Sequence, residues 1–321
     1  MKVTAVAHPI EGLIKYHGLK KPVQRIPFHD SISVCIKALV TTTTVETSDL
    51  LKKDVTIVNG KELTGKDNKR VKILLDQLKK LAKFSGGLKI VSENSLKNGK
   101  GLGFSASGFA ALGLAASKVL DLELDAISLS EIVRLGAGSS TRSLAGGFSI
   151  WYADKDGRSY AEQLDVPKNM RFSMVIVPIR SDVKTDEAHV EVLSSPLFKT
   201  RLRNVDHLLQ KMRDAIKNGD VATIGQVAEE DTLSLHAITM TGRSHMVLWE
   251  PETIRILKEI IHLREEGISA WYSMDTGPSV FINTFSENSG VITDRLHEIG
   301  FNNIVTSGVG GKPFLSSNHL F

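Results

Sequence analysis

A glycine-rich stretch, Gly99-Lys-Gly-Leu-Gly-Phe-Ser-Ala-Ser-Gly108, runs straight into the helical segment FAALGLAASKVL. Glycines tolerate positive φ and let backbone approach closely. A helix N-terminus presents unpaired N–H groups and partial positive charge, so it favours an anion. Two readings stay open from these residues alone: a tight strand-to-helix turn, or a phosphate loop. The stretch lacks Gly-Lys-Ser/Thr and the G-x-G-x-x-G spacing, so it is neither a Walker loop nor a dinucleotide fingerprint. Phe104 in its middle is unusual for either role.

A chain of 321 residues exceeds one ordinary core, so two domains are expected. A composition of 41% hydrophobic and 24% charged residues is that of a globular protein. The single cysteine, Cys35, excludes a disulfide framework within the chain and fits a reducing compartment. The start lacks a signal-like apolar run, and no stretch approaches a membrane span, so a cytoplasmic protein without membrane contact is expected. Net charge is +4, but the lysines are scattered, which argues for a small anionic substrate over nucleic acid.

β-Branched runs mark VTAVAHPI and SISVCIKALVTTTTVET as strands. A helix is predicted from Asp67 to SGG, and another over SLSEIVRLGAG with Ser128 or Ser130 as its cap. Strands follow at GGFSIWYA, SYAEQL and FSMVIVPI. Beyond about residue 180, long helical segments (196–217, 219–240, 251–266) alternate with a few strands. The expected organisation is an N-terminal α+β domain over 1–180, carrying the glycine loop, and a C-terminal α+β domain over 181–321.

Three further stretches could carry chemistry. Gly136-Ala-Gly-Ser-Ser-Thr-Arg-Ser-Leu-Ala-Gly-Gly147 crowds hydroxyls around Arg142, whose planar fork suits a carboxylate or phosphate. In WYSMDTGPSV, Asp275 stands at a strand end; it is either a turn starter or a functional acid. Lys15, in GLIKYHG, lies within an apolar strand and needs an anionic partner unless it snorkels from an edge. The ten histidines show no metal-ligand spacing, and no G-x-S-x-G elbow is present. His29, in IPFHDSISV, reads as a hydrogen-bonded structural or pocket residue.

Taken in order, these motifs resemble the mevalonate diphosphate decarboxylases, within the superfamily of galactokinase, homoserine kinase and mevalonate kinase (the GHMP kinases). GLIKYHG is similar to that family's A-x-I-K-Y-W-G. IPFHDSISV is similar to L-P-x-N-S-S-I-S-V, RLGAGSSTRSLAGGF to R-x-G-S-G-S-A-C-R-S-L-x-G-G-F, and SMDTGPSV to F-D-A-G-P-N-A. The resemblance covers nearly the whole chain. It implies a two-domain GHMP-kinase-like α+β fold, a ferredoxin-like second domain and an active site in the cleft between them. It also implies a lyase of isoprenoid, hence lipid, metabolism. Relatives of this kind are often homodimers, which extends to this chain only by analogy. The family's catalytic Asp, Lys and Arg fall on Asp275, Lys15 and Arg142. Arg70, Ser139, Ser105, His29 and Tyr16 become substrate-binding candidates, with Arg70 at the 5-phosphate end.

Two departures shape the expected function. The family's loop serines face ATP phosphates and metal; here the loop, with Gly101 and Gly103, carries Phe104 in place of the first serine. Leu19 stands where the family has a lysine for the terminal diphosphate, which suggests a single 5-phosphate. Together they make the chain most similar to an archaeal mevalonate 3,5-bisphosphate decarboxylase that has lost its kinase step. That enzyme would release isopentenyl phosphate, carbon dioxide and phosphate without ATP, metal or other cofactor. Asp275 would then pair with Lys15, stabilise positive charge at carbon 3, or destabilise the substrate carboxylate. The alternatives are an ATP- and magnesium-dependent phosphomevalonate or diphosphomevalonate decarboxylase, a mevalonate 3-kinase, and a binding protein that has lost its chemistry.

Overall fold

The computed structural model describes residues 1–48, 51–96, 102–180 and 185–321. The chain opens with β1 (Lys2–Ala7), β2 (Ile10–Ile14), β3 (Leu19–Lys21), β4 (Ile26–Pro27), β5 (Ser31–Cys35) and β6 (Thr41–Ser48). The single strand expected over SISVCIKALVTTTTVET is therefore two. Pairing explains the split: β5 joins β2, whereas β6 joins β1 in a different sheet. Next come β7 (Val55–Val58), β8 (Lys61–Glu62), α1 (Gly65–Ala82), β9 (Gly87–Asn94) and α2 (Phe104–Val119). The first half closes with α3 (Ala126–Gly136), α4 (Ser140–Ala145), β10 (Phe148–Trp151) and β11 (Ala161–Gln163). The cap of α3 is neither Ser128 nor Ser130. Asp125 takes that place and accepts the Ser128 N–H at 2.6 Å. A carboxylate there also answers the positive end of the helix.

The remaining elements are β12 (Phe172–Val177), α5 (Thr185–Glu191), α6 (Phe198–Asn218), α7 (Val221–Met240), α8 (Pro251–Glu265), β13 (Ala270–Ser273), β14 (Val280–Phe285), α9 (Ser289–Glu298), β15 (Val305–Ser307) and β16 (Phe314–Ser316). Three main sheets result, with strand orders β16-β1-β6-β9-β7-β8, β11-β10-β5-β2 and β13-β14-β12-β15. Sheet membership does not follow a division at 180. β12 lies before that point yet pairs with β14 and β15, and β16 returns to pair with β1. No helix among the described residues is long and apolar enough to cross a membrane.

Apolar packing arranges these sheets in layers. Leu74, Leu75 and Leu78 of α1 and the alanine-rich face of α2 cover the first sheet through Ala5, Val45 and Ile90. A second core runs from Leu13, Ile32, Val34 and Phe148 to Met174, Leu209, Met212, Ile224 and Phe281, so it joins the two halves. Phe148 meets Phe172 edge-on at 5.2 Å and is 1% exposed. A third core packs α8 and α9 on the outer sheet. Removing an aromatic ring from the shared core should loosen both halves together. Phe148→Ala should lower stability by about 3–5 kcal/mol, read by urea unfolding.

Candidate active site

A cleft of about 1170 Å³ opens where β2, the start of α2, α4, α5 and the segment after β13 converge. Lys15 follows the last residue of β2 and is 4% exposed. Its Nζ donates to Thr232 Oγ1 at 2.9 Å and Ser273 Oγ at 3.0 Å, with Asp231 Oδ2 at 4.0 Å. The anionic partner it needs is therefore Asp231, on α7. Asp231 does more than balance one charge. It also accepts the Lys15 backbone N–H at 2.9 Å and Arg201 Nη2 at 2.8 Å, while Arg201 donates to the Lys15 carbonyl at 2.8 Å. Burial pulls the Lys15 pKa down, and Asp231, Asp275 and Glu11 pull against it.

Asp275 lies two residues beyond β13, half-buried, and accepts the Gly12 N–H at 3.1 Å. Burial raises its pKa, with Lys15 opposing. No salt bridge links Asp275 to Lys15 among the described residues. The pairing expected as one role for Asp275 falls to Asp231 instead, because α7 brings that carboxylate behind the lysine. Arg142, on α4, is 3% exposed and donates to Ser31 Oγ. Its guanidinium lies 5.2 Å from the Tyr16 ring and 5.3 Å from the Trp151 ring, and Tyr16 meets Trp151 edge-on at 4.8 Å. Burial lowers its pKa to about 10, so it stays cationic at neutral pH. Such stacking fixes the plane of the guanidinium.

Ser139, Ser105, Tyr16 and Arg70 line the same cleft. Arg70 Nε donates to Gly136 O at 2.7 Å, which ties α1 to the end of α3. Gly103 caps α2 at φ 71°, and a Cβ there would come within 2.7 Å of Ile10 O. Only glycine lets the start of α2 press against β2. Phe104 begins α2, half-buried, and packs against the shared core while also lining the cleft. Gly101 lies outside the described residues. His29 is a correction: it does not line the cleft. It is buried at 8% exposure, its Nδ1 lies 2.6 Å from Asp30 O, and burial lowers its pKa to about 4. The alternation of β-strand residues gave no sign of which way it would turn.

Sequence reasoning missed several residues here. Arg25, Lys66, Asp186 and His189 line the cleft beside Arg70. Arg25 sits in the β3–β4 turn at φ 52° and pairs with Asp186 at 3.4 Å. Leu19, on β3, is absent from the lining. Charge alone did not single these out, since each occurs in a polar stretch that reads as ordinary surface. Among the described residues no group of three or more His, Cys, Asp or Glu is placed to hold a metal ion.

A half-buried acid and two buried cations, in a cleft that also holds a helix start and draws on both halves, suit a small anionic substrate. Comparison with known proteins fixes the family. Residues 7–161 match the model of the diphosphomevalonate decarboxylase-like N-terminal domain, and residues 184–308 match the mevalonate 5-diphosphate decarboxylase C-terminal domain. A phosphomevalonate decarboxylase of Haloferax volcanii is 38% identical, over 97% of this chain and 96% of its own. A mevalonate 3,5-bisphosphate decarboxylase of Thermoplasma acidophilum is 27% identical, over 88% and 71%. The mevalonate diphosphate decarboxylase structure from Staphylococcus aureus superposes with a TM-score of 0.92 at 29% identity, covering 98% of each chain. The chain belongs to the mevalonate diphosphate decarboxylase family of the GHMP superfamily, and it is a carboxy-lyase.

The Lys15–Asp231–Arg201 network should be the most sensitive polar element of the fold. Asp231→Asn leaves two buried cations without their counter-ion and should cost about 3–5 kcal/mol in chemical denaturation, with a matching loss of turnover.

Proposed function

We propose that the enzyme acts on mevalonate 5-phosphate, uses ATP to phosphorylate its 3-hydroxyl, and releases isopentenyl phosphate, carbon dioxide, ADP and phosphate. One observation carries this reading: the Asp275 carboxylate stands in the cleft, tethered by the Gly12 N–H, with its proton affinity raised by burial. Such a group suits a base that takes the 3-hydroxyl proton. A substrate that arrives already phosphorylated at position 3 offers no such proton. The nucleotide supplies the phosphoryl group, and the N-terminus of α2 with exposed Ser105 is the cleft's anion seat for its phosphates. Magnesium carried on those phosphates needs only one or two protein ligands. The name of the Haloferax relative agrees with this substrate.

The decarboxylation follows from charge. The bond from carbon 3 to the phosphate oxygen breaks, and the departing phosphate keeps its electron pair. Lys15 and Arg142 stabilise that charge. The bond to the carboxylate then supplies the electrons of the new double bond, and carbon dioxide leaves. The single 5-phosphate is supported by Leu19 lying off the cleft and by Asp186, whose carboxylate beside Arg25 disfavours a second phosphate there. Asp186→Asn should therefore raise kcat/KM for the 5-diphosphate relative to the 5-monophosphate by about fivefold, the scale of a part-exposed charge pair.

A second reading has its own observation. Phe104 puts an apolar ring at the nucleotide loop, which favours a 3,5-bisphosphate substrate used without ATP, as the name of the Thermoplasma relative has it. Against it, part of that ring is packed into the core. Purified enzyme given mevalonate 5-phosphate and MgATP should form ADP and carbon dioxide one to one. No ADP there, with carbon dioxide released from the 3,5-bisphosphate alone, moves the assignment to the second reading. A labelled ATP analogue that binds Phe104→Ser but not the wild type would do the same.

Asp275→Asn should lower kcat at least about 100-fold in a folded protein. Because its pKa is raised, wild-type turnover should fall on acidification at a pH above the ordinary carboxylate range. A variant with wild-type turnover would remove Asp275 from the mechanism.

A further inference from the structure

Glu11 is a carboxyl group with no exposure at all, at the second position of β2. Burying such a group is costly unless it is paired. Among the described residues it has no salt bridge. Its Oε1 accepts Asn283 Nδ2 from β14 at 2.7 Å. Its Oε2 and Asn283 Oδ1 are both buried without hydrogen-bond partners among the described residues. Neither residue lines the cleft. Yet Glu11 directly precedes Gly12, whose N–H holds Asp275, and Ser273, which accepts from Lys15 Nζ, also faces it. A buried acid in a strand core, with an amide partner and an unpaired oxygen, is not needed for packing. An apolar side chain would fill that place at lower cost.

We propose that Glu11 is a positioning residue: its buried carboxylate, tethered by Asn283, keeps Lys15 cationic and Asp275 basic without touching substrate. The proposal rests on Lys15 and Asp275 serving the decarboxylation. The physics is Coulombic. Negative charge at Glu11 raises the proton affinity of Lys15, against the burial that lowers it; Asp275 raises that of Glu11, and repulsion between two carboxylates is mutual. Neutral Glu11 does neither. Burial holds the Glu11 carboxyl at about 7, with Asn283 and Lys15 opposing, so the change falls in the neutral range.

Other charged groups face this pair. Asp231 from α7 and Arg201 from α6 pair with each other behind Lys15. His236, from α7, is driven down to about 3, chiefly by burial, and Arg142 from α4 holds its charge to about 10. In the cleft, burial takes His17 well below its ordinary value and His189 to about 4.

Two conservative variants test this through the pH dependence of carbon dioxide release, measured on whichever phosphorylated mevalonate the wild type turns over. Glu11→Gln keeps the shape and loses the charge. It should lower the plateau kcat several-fold and move the acid limb to lower pH by about half a unit, with KM little changed. Asn283→Ala removes the donor that favours the ionised form. It should move the acid limb the other way, to higher pH. Opposite shifts are not a consequence of general damage, and melting curves give the check on folding. Profiles of either folded variant that superimpose on wild type, while Asp275→Asn is inactive, overturn the role of Glu11. Wild-type turnover in Asp275→Asn overturns the site reading itself. If Glu11→Gln does not fold, the Asn283→Ala shift decides alone.

Discussion

A buried ammonium must find negative charge, and the arrangement of this protein follows from how Lys15 does so. The lysine sits at the end of a strand in the first half of the chain. Its counter-ion, Asp231, lies 216 residues later on α7, and Arg201 on α6 closes the network onto the Lys15 carbonyl. These contacts join the strand that carries Lys15 and Gly12 to the helices of the second half. The shared apolar core, from Leu13 through Phe148 to Phe281, bonds the same surfaces without direction. The polar network adds the direction, because only one register satisfies Asp231 on both its oxygens.

The same interaction prepares the chemistry. With Asp231 compensating Lys15 from behind, Asp275 is left to the Gly12 N–H and to the cleft. Arg142 is fixed by two aromatic faces and a serine hydroxyl, so its charge is oriented with little freedom to lose on binding. Burial disfavours four charges in this region: it lowers Lys15 and Arg142 and raises Asp275 and Glu11. An anionic substrate reverses part of that cost for the cations. The site therefore favours a ligand that brings negative charge against Lys15 and Arg142, and phosphate is such a ligand.

Phe104 shows how a local departure gains or loses weight in three dimensions. As a residue in a glycine loop it looks like a plug. In the fold its ring belongs partly to the core that joins the halves, and Ser105 beside it remains exposed to the cleft. The pairing of Arg25 with Asp186 works in the opposite sense. Neither residue stood out in the sequence, yet together they set the charge at the Arg70 end of the cleft.

Much of the site was legible in the sequence because its motifs are local. Lys15, Arg142 and Asp275 each sit in a short stretch of distinctive composition, and so does the helix start after Gly103. Strand and helix positions followed from β-branched runs and helical spacing. The partners of those residues were not legible. Asp231, Arg201 and Asn283 lie in ordinary helix and strand patterns, 216, 186 and 272 residues from the partners they meet in Lys15 and Glu11, and nothing local marks them. His29 was misjudged for the same reason, since its neighbours along the chain do not say which side of the strand end faces the cleft. The order of residues set which side-chain types were available and where the backbone would turn. Which charges meet was left to the folded molecule, because burial and pairing are set by long-range packing.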